Sequence, residues 1–222
     1  MTGSQIMPSF HPDETLLVEY TAGQLDQATA LVVAAHIEMC TECQRKADVY
    51  ASLAAEFLEQ SEGMPYSEAT LNLLLQSVSR APETTVISPS MTSSHQQDFY
   101  PSVLNKFLEQ SPPKKAWQNR GSSLRQMHVA KGFNGAECKI MGVKAGNALP
   151  RHTHRGEEFV LVLQGGLSDH RGTLNRGDFI YSDASVEHTP IAEMGEECVC
   201  LVVTNGKLKF TGFFGRVFNW IS

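Results

Sequence analysis

Residues Arg151–Gly166 read RHTHRGEEFVLVLQGG, and the fold turns on this stretch. In an extended strand residues i and i+2 point the same way, so His152 and His154 project together. Gly156 allows a tight turn, after which Glu158, Val160 and Val162 share one face of the next strand. Two imidazoles and a carboxylate on converging strand faces form a candidate metal site. The competing explanation is a pair of exposed surface histidines.

The surrounding sequence has the same texture. From about Lys115 onward, short runs rich in Val, Ile and Phe alternate with Gly, Asn and Asp turns: ECKIMGVKAGN, EEFVLVLQGG, GDFIYSD, ECVCLVVTNG and KFTGFFGRVF. Many short strands at regular spacing predict a β-sandwich or barrel. The spacing from Gly146 through His152, His154 and Glu158 to Gly165 is similar to the first cupin motif, G-x5-H-x-H-x3-E-x6-G. The second cupin motif supplies a further histidine, and GDFIYSDASVEHTP keeps its leading Gly177 and its terminal His188. It departs at Asp183, Ser185 and Ala192, where that motif has Pro, Gly and Asn, but none of these is a ligand. The resemblance implies a metal held by His152, His154, Glu158 and His188. Three neutral imidazoles and one carboxylate leave a divalent ion with a net charge of about +1. Zinc could close a tetrahedron on them. Iron, manganese or nickel would keep open positions. His95, His128 and His170 have no such constellation and read as surface residues.

Upstream, residues 1–80 read as helices. Leu25, Ala28, Val32, Ala35 and Met39 step by three and four, as one helical face requires. Ala47, Tyr50, Ala51, Ala54, Phe57 and Leu58 repeat the pattern, and so do Leu71, Leu74, Leu75 and Val78. A shorter helix is expected over Asp13–Ala22, ended by Gly23. Pro65 reads as a breaker and Ser67 as the N-cap of the last helix. Residues 81–114 read as a linker. Its first part, APETTVISPSMTSSHQQ, has no hydrophobic period, and PSVLNKFLEQ can form one short helix. Residues 115–222 complete the chain as the strand-rich domain.

Within the helical part, HIEMCTEC places His36, Cys40 and Cys43 as H-x3-C-x2-C. On a continuous helix they share a face; if Thr41 instead caps a new helix, the turn still gathers the thiols. Two thiolates can reach one ion at about 2.3 Å, with His36 as a third ligand. His11 is the remaining histidine in this region. A Cys2His2 zinc set would be tetrahedral and electrically neutral, and would stabilise a helical unit with a thin core. A redox dithiol would normally accompany a βαβ pattern, which is absent here. Five cysteines, an odd number, argue against a complete disulfide framework. Cys138 reads as a small buried hydrophobe. Cys198 and Cys200 share a strand face, either as half-buried strand residues or as oxidant-sensitive thiols. The adjacent Glu196 and Glu197 disfavour a thiolate there.

Charge sets further limits. Residues 1–80 carry 3 basic and 11 acidic side chains, a net of 3 − 11 = −8, within a chain whose total is −6. That balance opposes direct nucleic-acid binding, which needs clustered cations, and suits a basic protein partner. The amino-terminal MTGSQIMPSF has no basic segment followed by an apolar one, and no apolar run approaches ~18 residues, so a soluble cytoplasmic protein without membrane association is expected.

The combination of an upstream His with H-x3-C-x2-C, followed by a divergent cupin, resembles the ChrR-type zinc anti-sigma factors along nearly the whole chain. The likeness includes HPDETLLVEYTAGQL, PRHTHRGEEFVLVLQGGLSDHRG, GDFIYSDASVEHTPIAEMGEECVCLVV and FTGFFGRVF. In that family a divergent second cupin motif is normal. The resemblance implies a two-domain α + β protein, with an N-terminal zinc-binding helical bundle and a C-terminal cupin (jelly-roll β-barrel). It implies no enzymatic activity. The zinc domain, with ligands His11, His36, Cys40 and Cys43, would bind a group IV (extracytoplasmic-function) sigma factor, helped by the last helix. The cupin would detect singlet oxygen or organic hydroperoxides and release the sigma factor, with Cys198 and Cys200 as possible redox-sensitive thiols. The alternative is a metal-dependent cupin oxygenase or isomerase with a zinc-binding regulatory module. Such an enzyme has no evident need for a second metal cluster on an acidic helical bundle.

Overall fold

A computed structural model describes residues 7–63, 67–80, 99–113, 116–206 and 208–211. Pro65, His95, the low-period stretch 81–97 and all but the first residues of FTGFFGRVF lie outside them. Five helices precede the strands: α1 (Glu14–Thr21), α2 (Gln27–Met39), α3 (Thr41–Gln60), α4 (Glu68–Arg80) and α5 (Ser102–Gln110). The helices start where local chemistry dictates. Asp13 accepts from the Leu16 N–H, Asp26 from those of Ala28 and Thr29, and Ser67 from that of Thr70. Each satisfies an N–H that the first turn leaves unpaired. The helical run breaks at Cys40, which caps α3 itself by receiving the Cys43 N–H on its sulfur, so the cap falls one residue before Thr41.

The strands are β1 (Gln118–Arg120), β2 (Leu124–Lys131), β3 (Glu137–Val143), β4 (His152–His154), β5 (Glu157–Gln164) and β6 (Gly166–Asp169). They continue as β7 (Gly172–Asn175), β8 (Phe179–Ser182), β9 (Glu187–His188), β10 (Ile191–Ala192), β11 (Cys198–Asn205) and β12 (Leu208–Phe210). A six-stranded sheet runs β1-β2-β3-β11-β5-β8, and two three-stranded sheets run β10-β6-β7 and β12-β4-β9. Between the large sheet and β6, β7 and β10 lies one core, containing Val160, Val162, Leu167, Leu174, Ile180, Cys200 and Val202.

The opposite face of the large sheet is also covered. Ile140, Leu161, Leu163, Phe179, Leu201 and Val203 form a second core with Leu31, Val32 and Val33 of α2 and with Leu104 and Leu108 of α5. Strands β5 and β11 are therefore buried on both faces, which is why FVLVL and CVCLVV read as nearly unbroken apolar runs. Helix α2 is buried almost all round. Helix α5 has Pro101 at its N-cap and no capping side chain of its own. Glu38 of α2 takes that role, accepting from the Ser102 and Val103 N–H groups at 2.5 and 2.9 Å.

The outer helices differ. Beyond Ala47, α3 projects outward with Val49, Leu53, Phe57 and Leu58 exposed. Helix α4 likewise exposes Leu71, Leu73 and Leu74. Both form with the expected periodicity, but these apolar faces have no cover among the described residues. Among the described residues, no helix is long and apolar enough to cross a membrane.

Candidate metal centres

His11, His36, Cys40 and Cys43 come together as the spacing suggested, with one donor atom from each lying within 4.8 Å of the others. His36 Nε2 is 3.3 Å from the Cys43 sulfur, and His11 Nδ1 is 3.4 and 3.5 Å from the sulfurs of Cys40 and Cys43. Bonds of about 2.3 Å to sulfur and 2.05 Å to nitrogen give tetrahedral N···S edges of about 3.5 Å. The cluster thus has the dimensions of one four-coordinate ion. His36, Cys40 and Cys43 are buried and His11 is half-buried. Burial, with Cys40 beside it, pushes the Cys43 thiol up to about 12, and burial holds the His36 imidazole down at about 4. A neutral imidazole is the ligating form, and binding a dication would release the thiol protons.

The orientation of His36 comes from the strand domain. Its Nδ1–H donates to the Gly177 carbonyl at 2.8 Å, which turns the Nε2 lone pair toward Cys43. The residues preceding His11 are held from the same place. Asp178, buried and just before β8, accepts from the Ser9 and Phe10 N–H groups at 2.6 and 3.0 Å, and the Phe179 N–H donates to the Phe10 carbonyl at 2.9 Å. Gly177 has φ +95°, and a Cβ there would meet the Pro8 ring at 2.9 Å, so glycine alone fits this close approach.

His152, His154, Glu158 and His188 form the second cluster, all buried, with donor atoms within 4.8 Å of one another. In the β4–β9 ladder His152 pairs directly with His188, and Glu158, the second residue of β5, lies opposite Ser182. The turn between β4 and β5 needs Gly156, since a Cβ there would fall 1.6 Å from the Asn205 carbonyl oxygen. His188 Nε2 lies 3.0 Å from His152 Nε2 and 3.3 Å from His154 Nε2. His152 Nδ1–H donates to the Pro150 carbonyl at 2.7 Å, and His188 Nδ1–H to Asp169 at 2.8 Å. With both Nδ1 atoms protonated, two Nε2 lone pairs face each other, an arrangement that a cation between them would stabilise.

The surroundings reinforce this polarity. Burial raises Glu158 to about 7, against the lowering effect of Arg171. Burial and the neighbouring imidazoles lower His154 to about 4. Asp169 is held well below the usual carboxylate range: burial raises it, but Arg171 and His188 donors prevail. Arg171 bonds Asp169 through Nη2 at 2.7 Å and reaches Ser182 Oγ at 3.0 Å and the Tyr181 carbonyl at 3.1 Å. The motif departures are accommodated: Asp183 receives the Ser185 N–H and hydroxyl, closing the turn where the usual motif has Pro and Gly.

The sequence reading did not single out Asp169, Arg171, Asp178 or the Gly177 and Pro150 carbonyls. The only local signal was Gly177 itself, noted as a motif position. Cys198 and Cys200 lie in the sandwich core with sulfurs 3.6 Å apart beside a register shift in β11, and both are buried rather than half-buried. The Cys198 hydrogen bond and burial raise the Cys200 thiol well above its ordinary value. Cys138 is buried as expected, and burial raises its thiol too. His170 is exposed and His128 is half-buried on β2, with burial and Lys139 lowering its pKa.

A family model described as the ChrR cupin-like domain matches residues 110–208. The anti-sigma-E factor ChrR of Cereibacter sphaeroides is 30% identical over 207 residues, covering 93% of this chain and 94% of its own. A chain in the crystal structure of Rhodobacter sphaeroides SigE in complex with the anti-sigma ChrR aligns with a TM-score of 0.68. The identity is 28%, covering 89% of this chain and 99% of that one. The likeness extends through both the helical part and the strands, so this chain belongs to the ChrR family of anti-sigma factors.

Proposed function

We propose that the protein sequesters a group IV (extracytoplasmic-function) sigma factor in the cytoplasm and releases it when its cupin part meets an oxidant. The observation that carries sequestration is the pair of uncovered apolar helix faces. Phe57 on α3 is 72% exposed and Leu73 on α4 is 68% exposed, each among further exposed apolar residues. Amphipathic faces of this size bind a complementary apolar groove. The net charge of −8 on residues 1–80 favours a basic partner, and the relative in the solved complex is bound to SigE.

In this reading residues 1–80 act as the anti-sigma unit and 115–222 as the sensor, joined through 81–114. His11, His36, Cys40 and Cys43 hold zinc, whose charge the two thiolates cancel. His152, His154, Glu158 and His188 hold a divalent ion, zinc or else manganese, iron or nickel. When bound, that ion provides a centre able to meet singlet oxygen or an organic hydroperoxide. The protein's own residues keep the imidazoles neutral and oriented, with Asp169 and the Pro150 carbonyl fixing two of them.

The test is co-expression of the full chain with the organism's group IV sigma factors, followed by co-purification, metal analysis and transcription with core polymerase. A one-to-one complex that silences transcription and carries zinc is the expected result. Failure to bind or silence any of these sigma factors would overturn the reading.

A further inference from the structure

Strand β8 and the two residues before it touch the surroundings of both metal clusters. At one end, Gly177 accepts from His36 and Asp178 accepts from Ser9 and Phe10, next to His11. At the other, Ser182 and the Tyr181 carbonyl accept from Arg171, which bonds the same Asp169 that orients His188. Asp178 is fixed from within the strand domain as well, since its second oxygen accepts from the Asn175 N–H at 2.6 Å. Its carboxylate therefore clamps the amino-terminal segment onto the β7–β8 turn.

We infer that Asp178 is a positioning residue for the N-terminal metal centre, holding His11 in ligating geometry from the cupin side, so that the centre is shared between the two parts of the chain. This rests on the proposed metal-binding role of His11, His36, Cys40 and Cys43. His11 precedes α1. The segment before it is held from the strands by the Phe10–Phe179 backbone bond and the Asp178 clamp, while from the helices Thr41 Oγ1 reaches the Met7 sulfur at 3.9 Å. Groups that orient a ligand from outside the coordination sphere commonly alter metal affinity by about 10- to 100-fold. Displacement of β8 would then loosen a centre made otherwise of helical residues.

The test uses the full chain with Asp178→Ala and Asp178→Asn. Cobalt is the spectroscopic probe. Thiolate-to-cobalt charge transfer reports only the N-terminal centre, because no sulfur is among the four donors of the other cluster. Zinc affinity is read by competition with a chromogenic chelator, and melting temperature and manganese binding at the cupin cluster serve as controls. Asp178→Ala is expected to weaken zinc binding by about 10- to 100-fold and alter the cobalt spectrum. Asn keeps one acceptor oxygen but turns an amide toward Asn175, so a smaller loss, about threefold or more, is expected. If Asp178→Ala does not fold, the Asn variant decides. Wild-type affinity and spectrum in a folded variant overturn the inference. Absence of thiolate–cobalt charge transfer in the wild type would sink the metal-centre reading, and the inference with it. Wild-type binding that is indifferent to residue 178 would sink the inference alone.

Discussion

His36 and Gly177 are 141 positions apart in the chain, yet the His36 Nδ1–H meets the Gly177 carbonyl at 2.8 Å in a fully buried contact. That bond sits at the edge of a core in which Leu31, Val32 and Val33 pack with Leu161, Leu201 and Phe179. The helical residues and the large sheet therefore bury one another's apolar surface.

Residues 1–80 expressed alone are expected to suffer for this. Uncovering Leu31, Val32 and Val33 forfeits about 1.5–3 kcal/mol for each side chain fully exposed. The fragment should bind an apolar-surface dye strongly, melt below the full chain, and hold zinc less tightly because His36 loses its Gly177 acceptor. Calorimetry and chelator competition on the two proteins check this; equal melting and equal zinc affinity would contradict the shared core.

Cys40→Ser removes a proposed ligand but keeps the cap of α3, because the serine hydroxyl can receive the Cys43 N–H and serine is a favoured N-cap. Loss of stability in this variant therefore reports the ion, since metal binding to such a site is folding free energy. Partial melting of α1 to α3 with the strands retained is the expected outcome, read by far-ultraviolet circular dichroism, and excess chelator on the wild type should reproduce it.

Several features were legible because they are local. The His152-x-His154 pair faces one way by strand geometry, Cys40 and Cys43 lie one helical turn apart, and Ser67 caps where its neighbours lack partners. Asp169, Arg171 and Asp178 were not legible, since each acts on a residue that only the fold brings near. The period through Tyr50, Ala54 and Phe57 announced an amphipathic helix, but a period says nothing about where the covering surface is. Phe57 points outward. The two-sided burial of β5 and β11 was hidden for a related reason: an unbroken apolar run does not identify what lies on each face.

The cysteines should be slow to react. Cys138 and Cys198 are 0% exposed and Cys200 is 6%, and the Cys200 thiol resists ionisation. Alkylation by iodoacetamide at neutral pH, followed by mass spectrometry, should label these three at least about 100-fold more slowly in the native protein than in denaturant, because the thiolate is scarce and opening must come first. Prompt native labelling of Cys198 or Cys200 would show that the sandwich opens readily at that edge.

Glu38 gives a pH signature. Burial raises its carboxyl, but the Ser102 and Val103 donors outweigh that and leave it below the ordinary glutamate value. A depressed acid stabilises the fold fully above its unfolded pKa and loses that contribution as pH falls through the folded value. Glu38→Ala should therefore cost about 1 kcal/mol at neutral pH, as loss of a helix cap does. The gap from wild type should close as pH falls through the depressed folded value, below the ordinary glutamate range, in denaturant titrations across pH.

Phe57→Asp and Leu73→Asp alter side chains that are 72% and 68% exposed, so each should change stability by no more than about 0.5 kcal/mol. If these faces grip the sigma factor, each residue lies in an apolar interface, where removing one anchor commonly costs 2 kcal/mol or more, about 30-fold in affinity. A charge buried there should cost at least as much. Surface plasmon resonance with the cognate sigma factor separates the outcomes. Unchanged affinity in both variants would move the interface elsewhere, whereas loss in one alone would place it on that helix.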